Sequence, residues 1–594
     1  MNSTVPVAVL GVEHSVSGRL WRSRLTDSRL AAQISQQHDL PEAVGRVLAA
    51  RGVSASEVEE FLDPRLRTML PDPSAFAGMD AAVARLVAAV EAGETIAIFG
   101  DYDVDGATAS AVLQRYFRMI GGDARVYIPD RLAEGYGPNG PALLRLKSEG
   151  VAVVVTVDCG ITAFEPLAEA ADAGLDVIVV DHHVAEPRLP RAVAVVNPNR
   201  LDDSSGCGQL AAVGVAFMLV VGLNRALRQA GRFENRPEPD LMALLDLVAL
   251  GTVCDMVPLT GINRALVFAG LKLLSQRRNR GLVALADVAG LDARPEAYHL
   301  GFVLGPRVNA GGRVGKSDLG ARLLATEDAD EAISLAHRLD EFNTERRAIE
   351  AAVEAHAITQ IEDQGDGAGP ISIAVGEGWH AGVVGIVASR LVERFRRPAL
   401  VIALADGVGK GSGRSIPGVD LGAAIIAARQ AGLLITGGGH PAAAGLSLAE
   451  SGIDELREFL CARLADAVAE HGGRPSLGLD EALSAGAATV SFVDQLKRIG
   501  PFGMGNPEPR FAVSSCRVVK VDLVGGNHVR CVLADGGKGR LNAIAFRVAD
   551  KPVGQTLLES RGRTLHVAGH LRSDSWRGRE RVQLFIDDVA HASG

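Results

Sequence analysis

The sequence predicts an α/β protein: a parallel sheet in the first half, a second α/β domain beyond a long helix, and a small β-barrel at the end. Three observations carry this. Strand-like apolar runs alternate with helical periodicity through the first half, the pattern of βαβ units. Aromatics are only 4% of the 594 residues while Gly numbers 68, so the cores must be built from Ala, Val, Leu and Ile, as in parallel sheets with Gly-rich turns. Beyond about residue 505 the pattern changes to short alternating strands separated by Gly.

Taken in order, residues 1–75 read as an extension with short amphipathic helices, ending at Pro71-Asp72-Pro73. Helical spacing runs from Met79 to Ala92. Thr95–Phe99 is a buried-strand run closed by Gly100, VAVVVTV (151–157) a second strand, LAEAADAG (167–174) a helix, and LDVIVVD (175–181) a third strand. Residues 240–257 read as a helix running into a loop at Asp255. A long helix over about 325–362 ends in a polar, Gly-rich segment, and a further break falls at Gly472–Pro475. FAVSSCRVVKVDLV, HVRCVLA, RLNAIAFRV, RTLHVAGHL and VQLFIDDV then supply five strands. A five-stranded small barrel has the OB-fold as its usual nucleic-acid-binding form. The resulting division is 1–75, 76–325, 326–369, 370–472 and 473–594. At about 100–200 residues per domain the length suits this count.

Composition excludes several classes. Apolar residues make up 47% and charged residues 22%, which rules out disordered, collagen-like and coiled-coil chains. There is no apolar run of about 18 residues and no secretory leader pattern at the N-terminus. Six scattered cysteines without a CxxC pair argue against a zinc site or disulfide framework and fit a reducing cytoplasm. Net charge is −10, but residues 490–594 carry 16 Lys/Arg against 10 Asp/Glu, a net of +6, leaving −16 for the rest. A basic C-terminal module can bind phosphate locally even on an acidic body.

Four polar clusters sit where predicted elements end: DYDVDG (101–106), Asp158 in TVDCG, Asp181-His182-His183, and Asp255 in GTVCDMVPL. Ligands bind at the carboxyl ends of strands in open α/β sheets. A calcium loop is a poor fit to DxDxDG, because the position needing a bidentate Glu is Val112 and a strand precedes it. Any one of these aspartates could be a helix N-cap. Four clusters together point elsewhere, since convergent carboxylates repel and raise each other's pKa unless a cation is present. Carboxylates with added imidazole suit magnesium or manganese, and two such ions can hydrolyse a phosphoester.

With these motifs the chain resembles the DHH phosphoesterase superfamily. It resembles more closely the bacterial RecJ family of single-strand-specific 5′→3′ exonucleases, through IPDRLAEGYG (128–137), GPRVNAGGR (305–313), WHAGVVGIVASR (379–390), GSGRS (411–415), GGGHPAAAG (437–445) and PFGMGNPEPRF (501–511). The resemblance spans about residues 80–590 and implies a DHH domain, a DHH-associated domain (DHHA1) and an OB-fold. It implies two divalent cations, Mn²⁺ or Mg²⁺, held by Asp103, Asp105, Asp158, His182 and Asp255, with Asp158 as the bridge. His183 would face the scissile phosphate, and Asp101 would be a further ligand or proton carrier. Pyrophosphatase-like relatives place a His four residues before the D-x-D; this chain has Phe99, so the first metal would rely on Asp101 and water. Asp181 would orient His182 or its loop. The implied substrate is single-stranded DNA, degraded to 5′-mononucleotides in repair and recombination. Single-strand-binding protein and a RecQ-type helicase follow as partners from the resemblance alone.

The remaining motifs read as binding elements. GGGH (437–440) is read as a Gly-rich turn able to form an anion nest, with Gly438, Gly439 and His440 as its contacts. His380 is either packed beside Trp379 or touches substrate. Arg307, Asn309 and Arg313 are read as a Gly-rich loop contacting phosphate, and PFGMGNPEPRF as a rigid connector. Arg131, Ser412 and Arg414 form an expected pocket for a terminal 5′-phosphate, the other reading of the two arginines being interdomain ion pairs. In the barrel, Arg530, Arg540, Arg572, Arg577, Arg579 and Arg581 interleave with Phe546, Trp576 and Phe585, as single-strand binders do; Trp576 is the best stacking candidate. Two other functions compete. A small-molecule or nanoRNA phosphoesterase would not need the barrel, and a non-catalytic DNA-binding scaffold would not need the full acidic set.

Overall fold

The computed structural model describes residues 8–130, 134–363, 365, 369–472, 475–537, 539–576 and 579–592. Among them no helix is long and apolar enough to cross a membrane, and all six cysteines are free thiols.

The first sheet is wholly parallel. Its strands, in spatial order, are Ala124–Tyr127, Ile96–Gly100, Val153–Val157, Asp176–Val180 and Ala194–Val196. The continuous Val/Ile runs follow from burial on both faces. Ile96, Ile98, Val153 and Val155 enter one core, while Ala97, Phe99, Val154 and Val177 enter the other. In chain order the strands lie 2-1-3-4-5. The order reverses between the first strand and the third, so a crevice opens at the carboxyl ends of Ile96–Gly100 and Val153–Val157. A helical layer follows, including Leu245–Cys254 and Gly261–Leu274.

A helix of 35 residues, Ala329–Asp363, leads to a second, mixed sheet of strands 436–440, 443–449, 408–414, 399–405 and 372–377. Its two outermost strands on one side correct the sequence reading. GGGH is an extended edge strand in register with Ala443–Leu446, not a turn. Consecutive glycines imitate a turn in sequence, but strand pairing holds them extended.

The last strands, Phe511–Val524, His528–Ala534, Arg540–Ala545, Arg579–His591 and Thr564–Trp576, close into a five-stranded barrel through pairing of the first with the last. Residues 8 to about 62 dock onto this barrel, while Leu66, Met69 and Leu70 pack against the core of the first domain and Asp72 accepts from Arg225 there. Leu20–Ser23 pairs in parallel with Ser476–Leu479. Ile34, Val47 and Leu48 share one core with Val493, Phe511 and Val529, and the buried Trp21 donates its indole N–H to Asp588 at 3.1 Å.

Candidate metal centre and its approach

Each acidic cluster stands where a buried element stops. Asp101 and Asp103 follow the first strand, Asp158 the third, and Asp181-His182-His183 the fourth. Asp255 caps the carboxyl end of the buried helix Leu245–Cys254. The fold brings them into three overlapping groups whose polar atoms lie within 4.8 Å of one another: Asp101/Asp103/Asp158, Asp158/His182/His183 and Asp105/His182/Asp255. Asp103 and Asp105 fall into different groups, and Asp158 lies between them, with its Oδ1 3.3 Å from His182 Nε2.

Local structure holds these atoms in place. Asp103 is also the N-cap of the helix Val104–Met119, accepting from the Gly106 N–H at 3.1 Å. Asp105 accepts from the Ala212 and Val213 N–H groups at 2.6 and 2.9 Å, the positive end of the helix Ala212–Gln229. Asp158 has φ +62°, a left-handed backbone uncommon outside glycine. Asp181 takes the second of its two expected roles and orients the loop, accepting from the Ile161, His182 and His183 main-chain N–H groups. Its Oδ1 also pairs with the His183 ring at Nδ1, 2.7 Å away. Phe99 is buried against Tyr127, ring centroids 5.1 Å apart, and supplies no ligand atom.

The electrostatics ask for a cation. Burial, then repulsion from Asp103, pushes Asp105 up to about 7. Burial and the neighbouring aspartates push Asp255 up to about 9 and Asp158 well above the carboxylate range. Burial pulls His182 down to about 4, so its imidazole stays neutral. For His183 burial opposes the charge, but the Asp181 hydrogen bond outweighs it and the pKa rises. Among the described residues, His182 Nε2 and Asp255 Oδ2 are buried without a hydrogen-bond partner. Oxygen-rich donors with one neutral imidazole and orphaned buried atoms fit hard divalent cations.

Tyr136 was not foreseen as part of the site. Its hydroxyl donates to the Asp158 carbonyl at 3.0 Å and its ring meets His183 edge-on. Asn197 and Asn199 likewise donate to the His183 and His182 carbonyls. Only the EGYG context could have drawn attention to Tyr136.

A chain of close approaches leads from this centre into the second sheet. A Cβ on Gly312 would lie 2.8 Å from the Tyr102 carbonyl, one on Gly382 2.5 Å from the Arg313 carbonyl, and one on Gly385 3.0 Å from Ser412 Oγ. Arg313 donates to the Gly382 carbonyl at 2.9 Å. GPRVNAGGR is therefore helical, Gly305–Val314, not a loop; its glycines are where other segments touch it. Arg307 forms an ion pair with Asp340 at 2.8 Å and donates to the Val303 carbonyl at 2.7 Å, and Asn309 is half-buried on the same helix. His380 accepts from the Gly382 N–H at 3.0 Å.

Arg414 Nη1 donates to Ser412 Oγ at 3.1 Å and to the Gly413 carbonyl at 2.8 Å. It has no carboxylate in ion-pair range among the described residues, and burial lowers its pKa. The ion-pair reading therefore fails for Arg414. Gly438 is half-buried, whereas Gly439 and His440 are exposed on the edge strand. Arg131 and Arg577 lie outside the described residues, as do the side chains of Trp576 and Arg579. On the barrel Arg530, Arg540 and Arg581 are exposed, as is Phe546 at 47%. Arg572 is instead committed to Glu508 at 2.9 Å.

The comparisons agree with this geometry. Residues 95–252 match the DHH family N-terminal domain, 368–466 the DHHA1 domain and 479–588 the RecJ OB domain. The chain is 39% identical over 580 residues to the single-stranded-DNA-specific exonuclease RecJ of Dickeya dadantii, covering 94% of this chain and 98% of that one. Among solved structures it resembles RecJ of Thermus thermophilus in complex with Mn²⁺, with TM-score 0.78, 28% identity, and coverage of 96% of this chain and 79% of that one. The Mg²⁺ complex from the same organism gives 0.74 at 27% identity, over 96% of this chain and 78% of that one.

Proposed function

The chain belongs to the RecJ family of single-stranded-DNA-specific exonucleases, and from that premise we propose that it removes nucleotides from the 5′ end of single-stranded DNA using two divalent cations, Mn²⁺ or Mg²⁺. The observation that carries this is the convergence of Asp101, Asp103, Asp105, Asp158, His182 and Asp255 at the reversal point of the parallel sheet. Asp101, Asp103 and Asp158 would hold one ion, and Asp105, His182, Asp255 and the shared Asp158 the other. When bound, such a pair supplies an activated water and charge stabilisation for the departing oxygen. Asp181 takes Nδ1 of His183 and favours its charged form, leaving Nε2 to face the scissile phosphate. Tyr136 and the helix start at Ala212 keep Asp158 and Asp105 in place before substrate arrives.

Single-strand selectivity belongs with the barrel, whose exposed Arg530, Arg540, Arg581 and Phe546 suit phosphate tracking and stacking. The functional units are residues 76–325 for hydrolysis, 326–369 as spacer, 370–472 for the strand end, and 473–594 for the strand body, with residues 8 to about 62 of the 1–75 extension docked on the barrel. Single-strand-binding protein and a RecQ-type helicase are the partners named by the family resemblance; co-purification with the full chain tests them. Six free thiols support a reducing compartment, the cytoplasm.

The 5′ polarity would come from a terminal-phosphate pocket of Ser412, Arg414 and Arg131, because a terminal monophosphate carries more charge than a chain phosphate. Half-buried Arg414 without a carboxylate supports an anion there. End-labelled single strands should be shortened from the 5′ end, with duplexes and dinucleotides cut far more slowly. Wild type should prefer a 5′-phosphate over a 5′-hydroxyl. In Arg414→Ala the phosphorylated substrate should lose about 10-fold or more in kcat/KM, the worth of a charged hydrogen bond, with little loss on the hydroxyl substrate. Equal losses on both substrates would reject the pocket, and cutting from the 3′ end would reject the polarity.

A further inference from the structure

The connector over residues 501–511 makes contacts that a rigid link between domains does not by itself explain, and they converge on the loop that follows Asp255. In that loop Met256 adopts φ +61°. On one side the loop is gripped by the buried Asn263, which donates to the Pro258 carbonyl at 3.1 Å. On the other side it is gripped by the connector. The Leu259 N–H donates to the Met504 carbonyl at 2.8 Å. Gly503 and Gly505 bring main chain against the loop so closely that a Cβ would lie 2.7 Å from Leu259 Cδ1 and 3.1 Å from Pro258 Cβ.

The connector is itself stiff. Gly503 and Asn506 exchange main-chain hydrogen bonds, each N–H to the other's carbonyl. The Asn506 side chain is fully buried and donates to the Ile499 and Pro501 carbonyls, both at 2.9 Å. A second anchor lies alongside. Arg264, 1% exposed, donates to the Phe61 carbonyl at 2.8 Å and the Gly500 carbonyl at 2.6 Å, with its guanidinium 3.8 Å from the Phe61 ring centroid. The far end of the connector is bound to the barrel, through Glu508–Arg572 and Arg510–Asp587.

We propose that residues 499–506 are a positioning element for Asp255: gripping Pro258–Thr260, they set where its carboxylate stands. This rests on the reading of Asp255 as a metal ligand. The C-terminal unit then acts on the metal centre as well as holding DNA. The partners of metal-binding side chains govern metal affinity in general, and their loss typically weakens it about 10- to 100-fold.

Two variants of the full chain test this. Gly503→Val puts a branched side chain where even a Cβ crowds Leu259, and Asn506→Ala releases the turn from within. Mn²⁺ binding, measured by calorimetry without DNA, should weaken about 10-fold in both. On a 5′-phosphorylated single strand kcat should fall in step, with KM little changed. Wild-type Mn²⁺ affinity and kcat with a raised KM would make the segment a DNA-side tether and overturn the proposal. If a variant loses its thermal transition, Gly503→Ala decides: a weaker Mn²⁺ affinity in that folded, milder variant supports positioning, and an unchanged one rejects it. A wild-type chain that binds Mn²⁺ but leaves single strands intact would sink the functional reading instead, with the Mn²⁺ affinities still reporting on the connector.

Discussion

Asp158→Ala is expected to lower single-strand hydrolysis on the order of 10³-fold or more, in Mn²⁺ and in Mg²⁺ alike. Asp158 is shared between groups that each hold further ligand atoms, so its removal weakens both ion sites at once. Cation stabilisation of a phosphoester transition state is worth several kcal/mol, and about 1.4 kcal/mol is tenfold in rate. The metal-free protein should show the opposite trend in stability. There Asp158 is buried among Asp101, Asp103, Asp105 and Asp255, which disfavour its charge. Asp158→Asn keeps the shape and removes a repelling carboxylate, so its metal-free melting midpoint should equal or exceed that of wild type. Wild-type turnover of Asp158→Ala in Mn²⁺ would reject the two-cation assignment. A midpoint several degrees lower for Asp158→Asn would make Asp158 a structural carboxylate instead.

Why the centre is legible in the sequence follows from how it is built. Asp101, Asp158 and Asp181 each end a run of buried Val and Ile, and such runs have one reading when helices alternate with them. The proposed ligands are therefore marked by local signals, as are the helix Met79–Ala92 and the barrel strands. What escapes a sequence reading depends on partners far away in the chain. Arg307 reads as a phosphate contact until the long helix brings Asp340 beside it. The N–H groups that hold Asp105 belong to residues 107 and 108 positions later. GGGH reads as a turn because glycine favours turns, but its pairing with Ala443–Leu446 outweighs that preference.

The same limit hides the largest feature of the architecture, the union of the two chain ends. The short amphipathic helices of the first 75 residues do not say what their apolar faces meet, yet Leu20–Ser23 pairs in parallel with Ser476–Leu479, and the early helices complete the barrel's core. Arg264 then joins this composite unit to the catalytic half through Phe61 and Gly500. The chain thus closes on itself, its first and last segments meeting the first domain at Arg264. That closure holds the barrel, proposed above to bind DNA, at a fixed place relative to the proposed ion sites, as an exonuclease cutting at a set distance from a strand end requires.

Asp480 is the residue on which this closure should depend most. Its carboxylate has no exposed side-chain surface and accepts from Arg24 at 2.7 Å, Arg51 at 2.7 Å and the Arg510 N–H at 2.9 Å. Arg24 lies 456 residues away in sequence, so one carboxylate staples the first segment to the base of the barrel. Removing it leaves two guanidiniums partly or wholly buried without a counter-charge. Breaking a buried pair from one side typically costs about 3–5 kcal/mol, and Asp480→Ala is expected to lose stability on that scale in denaturant titration. The loss should be local first. Residues 8 to about 62 should become open to proteolysis, and the fully buried Trp21 should shift its fluorescence to longer wavelength before the parallel sheet unfolds. Asp480→Asn keeps most hydrogen bonds and should lose less. Metal binding should survive in both variants below the unfolding transition, since every proposed ligand lies between residues 101 and 255. A single cooperative unfolding with unchanged protease sensitivity of that segment would show that the core formed by Ile34, Val47 and Leu48, and not the buried carboxylate, holds the two ends together.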